Sequence, residues 1–328
     1  MLRQDGPESP GRRWFLAAAA LFGTMQSGIA AAPLRLGLQK TGTVSWEIDT
    51  IRRHGLDARH GVALAVTELA SPEAARIALR GGSVDVIVSD WLWVSRERSL
   101  GARLKYVPFS TAVGALVVAR TSTVAGIADL RGKRIAVSGG ALNANWLLLR
   151  ALARREGLDL VRDAQPAFGA APLLMEKTLQ GEFEVALTFW NFAARLETQG
   201  FRQVLSVEDM ARALGAAGAV SNLGYIFDEA LLAGNGPALA GFLAASRDAK
   251  RILATSDAEW EALRPLMMAG DEATFQAYRR RFREGIPTRA PAEEEADART
   301  LYGILASIGG REVVGAAPAL DPGTFHLP

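Results

Sequence analysis

Cysteine is absent from the 328 residues, which excludes disulfides, thiolate metal sites and thiol nucleophiles together. Histidine is scarce, with only His54, His60 and His326. His54 and His60 flank a polar connection between a predicted helix and a predicted strand. No cluster of metal-ligand spacing surrounds them, so they read as solvated loop residues and no metal is expected. Neither sign of charge dominates, with 37 lysines and arginines against 35 aspartates and glutamates. No basic stripe interleaves with aromatics, so nucleic acid is not an expected partner. Beyond the N-terminus there is no run of about 20 apolar residues, so the mature chain is not expected to span a membrane. What is there is a chain 49% hydrophobic, long enough for two α/β lobes of about 100 to 150 residues each.

The first 32 residues read as an address. Residues 1–10 are polar, and Arg12-Arg13-Trp14-Phe15-Leu16 then opens a small, apolar run that ends near Ala32. Charged, then apolar, then small is the order of a signal peptide. The paired arginines followed by x-Phe-Leu match the twin-arginine export pattern, although an ordinary Sec signal also begins with basic residues. The expectation is a signal over 1–32 and a mature protein exported to the periplasm.

The rest of the chain is organised around residues 131–152, RGKRIAVSGGALNANWLLLRAL. A short strand runs into Ser138, Gly139 and Gly140, and Asn143 or Asn145 can cap the apolar helix that follows. Such a helix directs unpaired N–H groups and the positive end of its dipole out of the carboxyl end of a strand. That is where open α/β sheets hold ligands. The device recurs: strands are predicted at 34–38, 61–68, 84–88 and 104–108, with helices between them, one opened by Ser71-Pro72-Glu73. The alternation predicts an α/β protein of two lobes, each a mostly parallel sheet flanked by helices. Extended runs near 115–120 and 220–227 bracket the second set of elements and predict a hinge of two crossing segments. Lobe I is expected over 33–118 plus 223–328, and lobe II over 119–222.

Two segments align without a gap, GSVDVIVSDWLWVSR at 82–96 and GEFEVALTFWNFAAR at 181–195. Asp85 falls on Glu184, Ser89 on Thr188, Trp91 on Trp190, and Arg96 on Arg195. Any buried strand followed by an amphipathic helix produces some of these matches. Either way, each lobe places a polar residue and a tryptophan at the carboxyl end of a strand. If the lobes face each other, four turns line one cleft. From these turns come the candidate ligand-binding residues Gln39, Thr43, Trp46, Glu47, Ser89, Asp90, Trp91, Ser138, Gly139, Asn143, Thr188, Phe189, Trp190 and Asn191. The competing reading for the tryptophans is lobe interior, most of all for Trp91 and Trp93. For Glu47 it is a helix acid favoured by the dipole.

Leu34-Arg35-Leu36-Gly37, Gln39-Lys40-Thr41-Gly42-Thr43, the run 78–85 (ALRGGSVD), the run 127–137 (IADLRGKRIAV) and residues 145–152 stand in succession. With them the chain resembles the periplasmic substrate-binding proteins of ABC importers, in the group for aliphatic sulfonates, taurine, nitrate and the thiamine-pyrimidine precursor. The resemblance spans Leu34 to about Ser307. It implies a type II periplasmic-binding fold that captures a small organic ligand between its lobes and delivers it to an ABC permease with its ATPase. It implies no cofactor, no catalytic residue, and a monomer. Relatives on the same fold include enzymes, and a sensory or accessory binding role is a third possibility. Two departures bear on the ligand. Gly139-Gly140-Ala141-Leu142-Asn143 stands where the family often has Gly-Ser followed by Ser or His, and Trp190-Asn191-Phe192 where it has Trp-Asp-Pro. A sulfonate or nitrate calls for hydroxyls, amides and a helix N-terminus. Glu47 and Asp90 beside tryptophans suit an amine or an aminopyrimidine.

Overall fold

The structure, a computed structural model, describes residues 32–39 and 42–327. The predicted signal falls almost wholly on residues 1–31, outside the described residues.

In chain order the elements are β1 (Leu34–Gln39), α1 (Val44–Arg53), α2 (Leu56–Arg59), β2 (Leu64–Leu69), α3 (Pro72–Arg80), β3 (Val86–Asp90), α4 (Trp91–Ser99) and β4 (Leu104–Ser110). The second set is β5 (Gly114–Ala119), β6 (Arg134–Ser138), α5 (Ala144–Arg155), α6 (Leu160–Asp163), β7 (Gln165–Gly169), α7 (Ala171–Leu179), β8 (Val185–Phe189), α8 (Trp190–Thr198), β9 (Phe201–Ser206) and α9 (Val207–Ala213). The chain returns through β10 (Leu223–Asp228) and ends in α10 (Ala230–Thr255), α11 (Asp257–Met267), α12 (Glu272–Glu284), α13 (Pro291–Gly309) and α14 (Arg311–Val314).

Local chemistry sets many of these boundaries. Ser71 accepts a hydrogen bond from the Ala74 amide with Pro72 at the first turn of α3, and Ser206, Ser256 and Asp271 cap α9, α11 and α12 in the same way. Gly139 sits at φ 93°, a conformation that only glycine adopts without strain, where β6 turns toward α5. Helix α10 breaks at Asn235 (φ −150°), two residues before Pro237, which cannot donate to the helix ladder.

Among the described residues the strands form two five-stranded sheets, β2-β1-β3-β10-β4 and β7-β6-β8-β5-β9. The orders are equivalent. In each, the fourth strand is antiparallel to both neighbours and the other pairings are parallel. The aligned segments at 82–96 and 181–195 are thus β3–α4 and β8–α8, third strand and following helix in both sheets. The likeness reaches the aligned acids. Asp85 pairs with Arg35 at 2.5 Å and Glu184 with Lys133 at 2.6 Å, each cation lying at the start of the neighbouring strand.

The antiparallel strands are where the chain changes sheet. From Ser110 to Gly114 it passes from the carboxyl end of the first sheet to that of the second, where Gly114 lies opposite Phe189. Three intervening residues span at most about 14 Å. It returns over residues 214–222 to Leu223, opposite both Asp90 and Ser110. The strand Gly114–Ala119, which the sequence reading divides at 118, hydrogen-bonds within the second sheet along its length.

The C-terminal helices belong to neither sheet alone. Helix α12 packs along α8, while α13 packs on α5 and, through α14, on α4. One apolar cluster joins Trp46, Tyr225, Phe242 and Trp260 to Trp190 and Ala194, and another joins Ile87 and Trp91 to Trp146, Val185 and Tyr302.

Candidate functional site

At the carboxyl end of the first sheet, Asp90 has both carboxylate oxygens engaged. Oδ1 accepts the Trp93 amide at 2.7 Å, capping α4, and Oδ2 accepts from the Arg76 guanidinium at 2.8 Å. Arg76 also donates to the Ser89 hydroxyl at 2.9 Å and lies 4.8 Å from the centre of the Trp93 ring. Arg76 went unnoticed in the sequence because it sits thirteen residues upstream on α3 and only the fold carries it to this turn.

Glu47 does stand in the first turn of α1. It is fully buried, accepting from the Tyr225 hydroxyl at 2.5 Å and from Lys250 Nζ at 2.5 Å. Burial lowers the Lys250 pKa against the opposing pull of Glu47, and it pushes the Tyr225 hydroxyl well above its usual range. The Lys250 ammonium also lies 4.4 Å from the centre of the Phe109 ring. Lys250 is 203 residues from Glu47, so no local pattern announces it.

In the second sheet the hydroxyls of Ser138 and Thr188 share a hydrogen bond of 2.8 Å, and both residues are buried. Asn143 caps α5 through its own side chain, accepting from the Asn145 amide at 3.0 Å. Gly139 donates its amide to the Gly169 carbonyl at 2.9 Å. Phe189 and Asn191 flank Trp190 and are partly buried. Gln39 and Thr43 are also partly buried and bracket a turn of which residues 40 and 41 lie outside the described residues.

The three candidate tryptophans divide. Trp91 is 2% exposed and belongs to the core beneath α4. Trp46 and Trp190, the first from α1 and the second from α8, meet edge to face with ring centres 6.0 Å apart. Trp46 also touches Trp260, Tyr278 and Phe282. The predicted residues brought together are therefore Ser138 with Thr188, Ser89 with Asp90 through Arg76, and Trp46 with Trp190 between the two sheets. A small cavity opens beside this contact, lined by Thr111, Val113, Trp190, Gln203, Ser206 and Arg281 among others. It shares only Trp190 with the fourteen residues read from the sequence.

His54 and His60 are not free loop residues either. They bond to Glu259 and Asp248, each at 2.8 Å, and tie α1 and α2 to the C-terminal helices. Among the described residues no group of three or more His, Asp or Glu side chains is placed to hold a metal ion, and no helix is long and apolar enough to cross a membrane.

Solved structures share this architecture. The alkanesulfonate-binding protein SsuA from Xanthomonas axonopodis pv. citri, bound to MOPS, is similar at a TM-score of 0.68 and 19% identity, over 90% of this chain and 99% of that one. The periplasmic aliphatic sulphonate binding protein SsuA from Escherichia coli is similar at 0.68 and 19%, over 90% and 96%. A periplasmic sulfonate-binding protein SsuA from Methylobacillus flagellatus KT is similar at 0.66 and 14%, over 91% and 92%. No curated protein matches in sequence. The model of the family described as NMT1/THI5 like matches residues 52–257, more than half of the chain, and the protein belongs to that family.

Proposed function

We propose that this chain is an extracytoplasmic solute-binding protein. It captures a small organic molecule between its two sheets and delivers it to an ABC permease driven by its ATPase. The observation that carries the reading is the opposition of two equivalent sheets at their carboxyl ends, with short crossings between them. Open α/β sheets bind ligands at that edge, and two such edges facing each other make one site. The fold shared with sulfonate-binding proteins supports the same reading. The ligand contacts are drawn from the turns holding Gln39 to Glu47, Ser89 to Trp91, Ser138 to Asn143 and Thr188 to Asn191. The protein acts as a carrier and not as an enzyme, as a monomer, in the periplasm after export by the twin-arginine signal at Arg12-Arg13. A protein made for export by this route, purified natively from the periplasmic fraction, is expected to begin near residues 31–33. It is expected to release a stoichiometric small molecule on denaturation, read by intact and small-molecule mass spectrometry. A chain retaining residues 1–30 overturns the export reading. A protein that neither carries a small molecule nor shifts its melting temperature with any of a broad solute panel overturns the binding reading.

A further inference from the structure

The first turn of α1 is held from behind by a buried polar trio. Both carboxylate oxygens of the fully buried Glu47 are taken, Oε1 by the Tyr225 hydroxyl of β10 and Oε2 by Lys250 Nζ of α10, each at 2.5 Å. Lys250 also donates to the Ser246 hydroxyl at 3.0 Å, and its ammonium lies 4.4 Å from the centre of the Phe109 ring on β4. The Phe109 and Tyr225 rings meet edge to face with centres 5.3 Å apart. Phe109 stands immediately before Ser110, from which the outgoing crossing leaves, and Tyr225 lies shortly after Leu223, where the returning crossing arrives. One ammonium thus ties α1 to the two strands of the first sheet that carry the crossings.

The second half of the molecule shows that packing alone does not call for these groups. Helices α1 and α5 follow equivalent strands, begin after Thr43 and Asn143, and place a tryptophan third in the helix, Trp46 and Trp146. The next residue is Glu47 in one and Leu147 in the other. Tyr225 lies opposite Val88 and Leu116 opposite Leu187, and the gapless alignment sets Val88 on Leu187, so Leu116 holds the place of Tyr225. Leu147 and Leu116 are both fully buried in one apolar cluster. Two leucines therefore stand in the second half where the first has a carboxylate and a phenol joined by an ammonium, although burying charge is far more costly than burying leucine. What the charged version adds is direction. A carboxylate with both oxygens engaged holds one arrangement, whereas apolar contact is non-directional.

We propose that Glu47, Tyr225 and Lys250 are positioning residues, which fix the turn between β1 and α1 relative to the two crossings so that this turn and the hinge move together. The inference rests on the carrier reading for what the turn serves, and it adds the device that sets the turn in place. Trp46 directly precedes Glu47 and is the residue through which α1 meets Trp190 of the other half. A joint that lets α1 slide loosens that contact, and with it the resting separation of the two halves.

The test copies the second half into the first. Glu47→Leu, Tyr225→Phe and Lys250→Met are combined, and three quantities are read without any solute: the melting temperature, amide hydrogen exchange, and the distance between spin labels on Ile77→Cys and Leu173→Cys. Replacing a buried ion pair by apolar groups of similar size leaves stability level or raises it, so the triple variant is expected to melt at or above the wild type. Its amides at 42–47 are nevertheless expected to exchange roughly tenfold faster while those of α5 are unchanged, and the label distances to spread. Wild-type exchange at 42–47, a rise shared by α5, or a wild-type distance distribution makes the trio ordinary core and overturns the proposal. Should the triple variant not fold, Tyr225→Phe decides, because it removes a single oxygen. Exchange is then expected to rise about threefold at 42–47 alone; no rise, or an equal rise along α1, α10 and β10, overturns the proposal. None of these readings involves a solute, so each outcome leaves the carrier reading to its own test.

Discussion

Glu294 and Asp297 stand one turn apart on α13 and hold the same returning crossing, yet their environments push them in opposite directions. Burial raises Asp297 as well, but it accepts the amides of Ala217 and Gly218 and pairs with Arg289, and the net shift is downward from 3.8. A depressed carboxylate stabilises the fold above its unfolded value, and that contribution is lost as pH falls through the folded one. Glu294 is raised from 4.5, so its ionisation works against the fold, fully so above the folded pKa and not at all below the unfolded one. Glu294→Gln is therefore expected to match or exceed the wild type at neutral pH, with any gain shrinking as pH falls toward about 4.5. Asp297→Asn is expected to lose stability at neutral pH, with the loss shrinking below about 3.8. Denaturant melts across pH 3 to 8 read both slopes, and slopes of the same sign contradict the assignment. None of this was legible in the sequence, where the acids of 293–297 are simply the first turns of a predicted helix. What Glu294 meets depends on Ser221, 73 residues away. The same holds for Glu47, whose partners Tyr225 and Lys250 are distant in the chain.

Elements were far more legible than contacts. Caps, prolines and glycines act over three or four residues, so the starts of α3 and α5 follow from Ser71 and Asn143. The repeat between β3–α4 and β8–α8 was readable because both copies solve one local problem, a buried strand turning into a helix. What could not be read is which helix lies on which. The sequence from Asp228 onward reads as helical, and only packing reveals that α12 crosses to α8 and α13 to α5. Arg281 on α12 donates to Glu197 Oε1 on α8 at 2.5 Å and to Gln203 on β9 at 3.0 Å. Both members of the ion pair are partly exposed, so its worth is at most about 1 kcal/mol. Arg281→Ala is expected to speed hydrogen exchange in the amides of α8 while leaving α5 unchanged. Exchange that is unaltered in α8, or raised equally in both helices, contradicts a role for Arg281 in holding the two halves together.

At the scale of the molecule, two equivalent halves are joined by short crossings and bridged by Trp46, Trp190 and the C-terminal helices. A ligand that touches both halves favours the arrangement in which both reach it, and it shifts the population by its differential affinity for that arrangement. The Trp46–Trp190 contact adds a condition, because separating the halves exposes apolar rings to water. Opening is therefore expected to be limited, with a partly closed population before ligand arrives. The absence of cysteine makes the direct measurement clean, since labels attach only where thiols are introduced. Ile77 on α3 and Leu173 on α7 occupy equivalent helices and are 71% and 55% exposed. Spin labels on Ile77→Cys and Leu173→Cys, read by pulsed dipolar spectroscopy with and without the molecule that copurifies with the protein, test whether the ligand lies between the sheets. A broad distance distribution that narrows to a single shorter distance on binding is the predicted result; an identical distribution in the two states at saturation contradicts it.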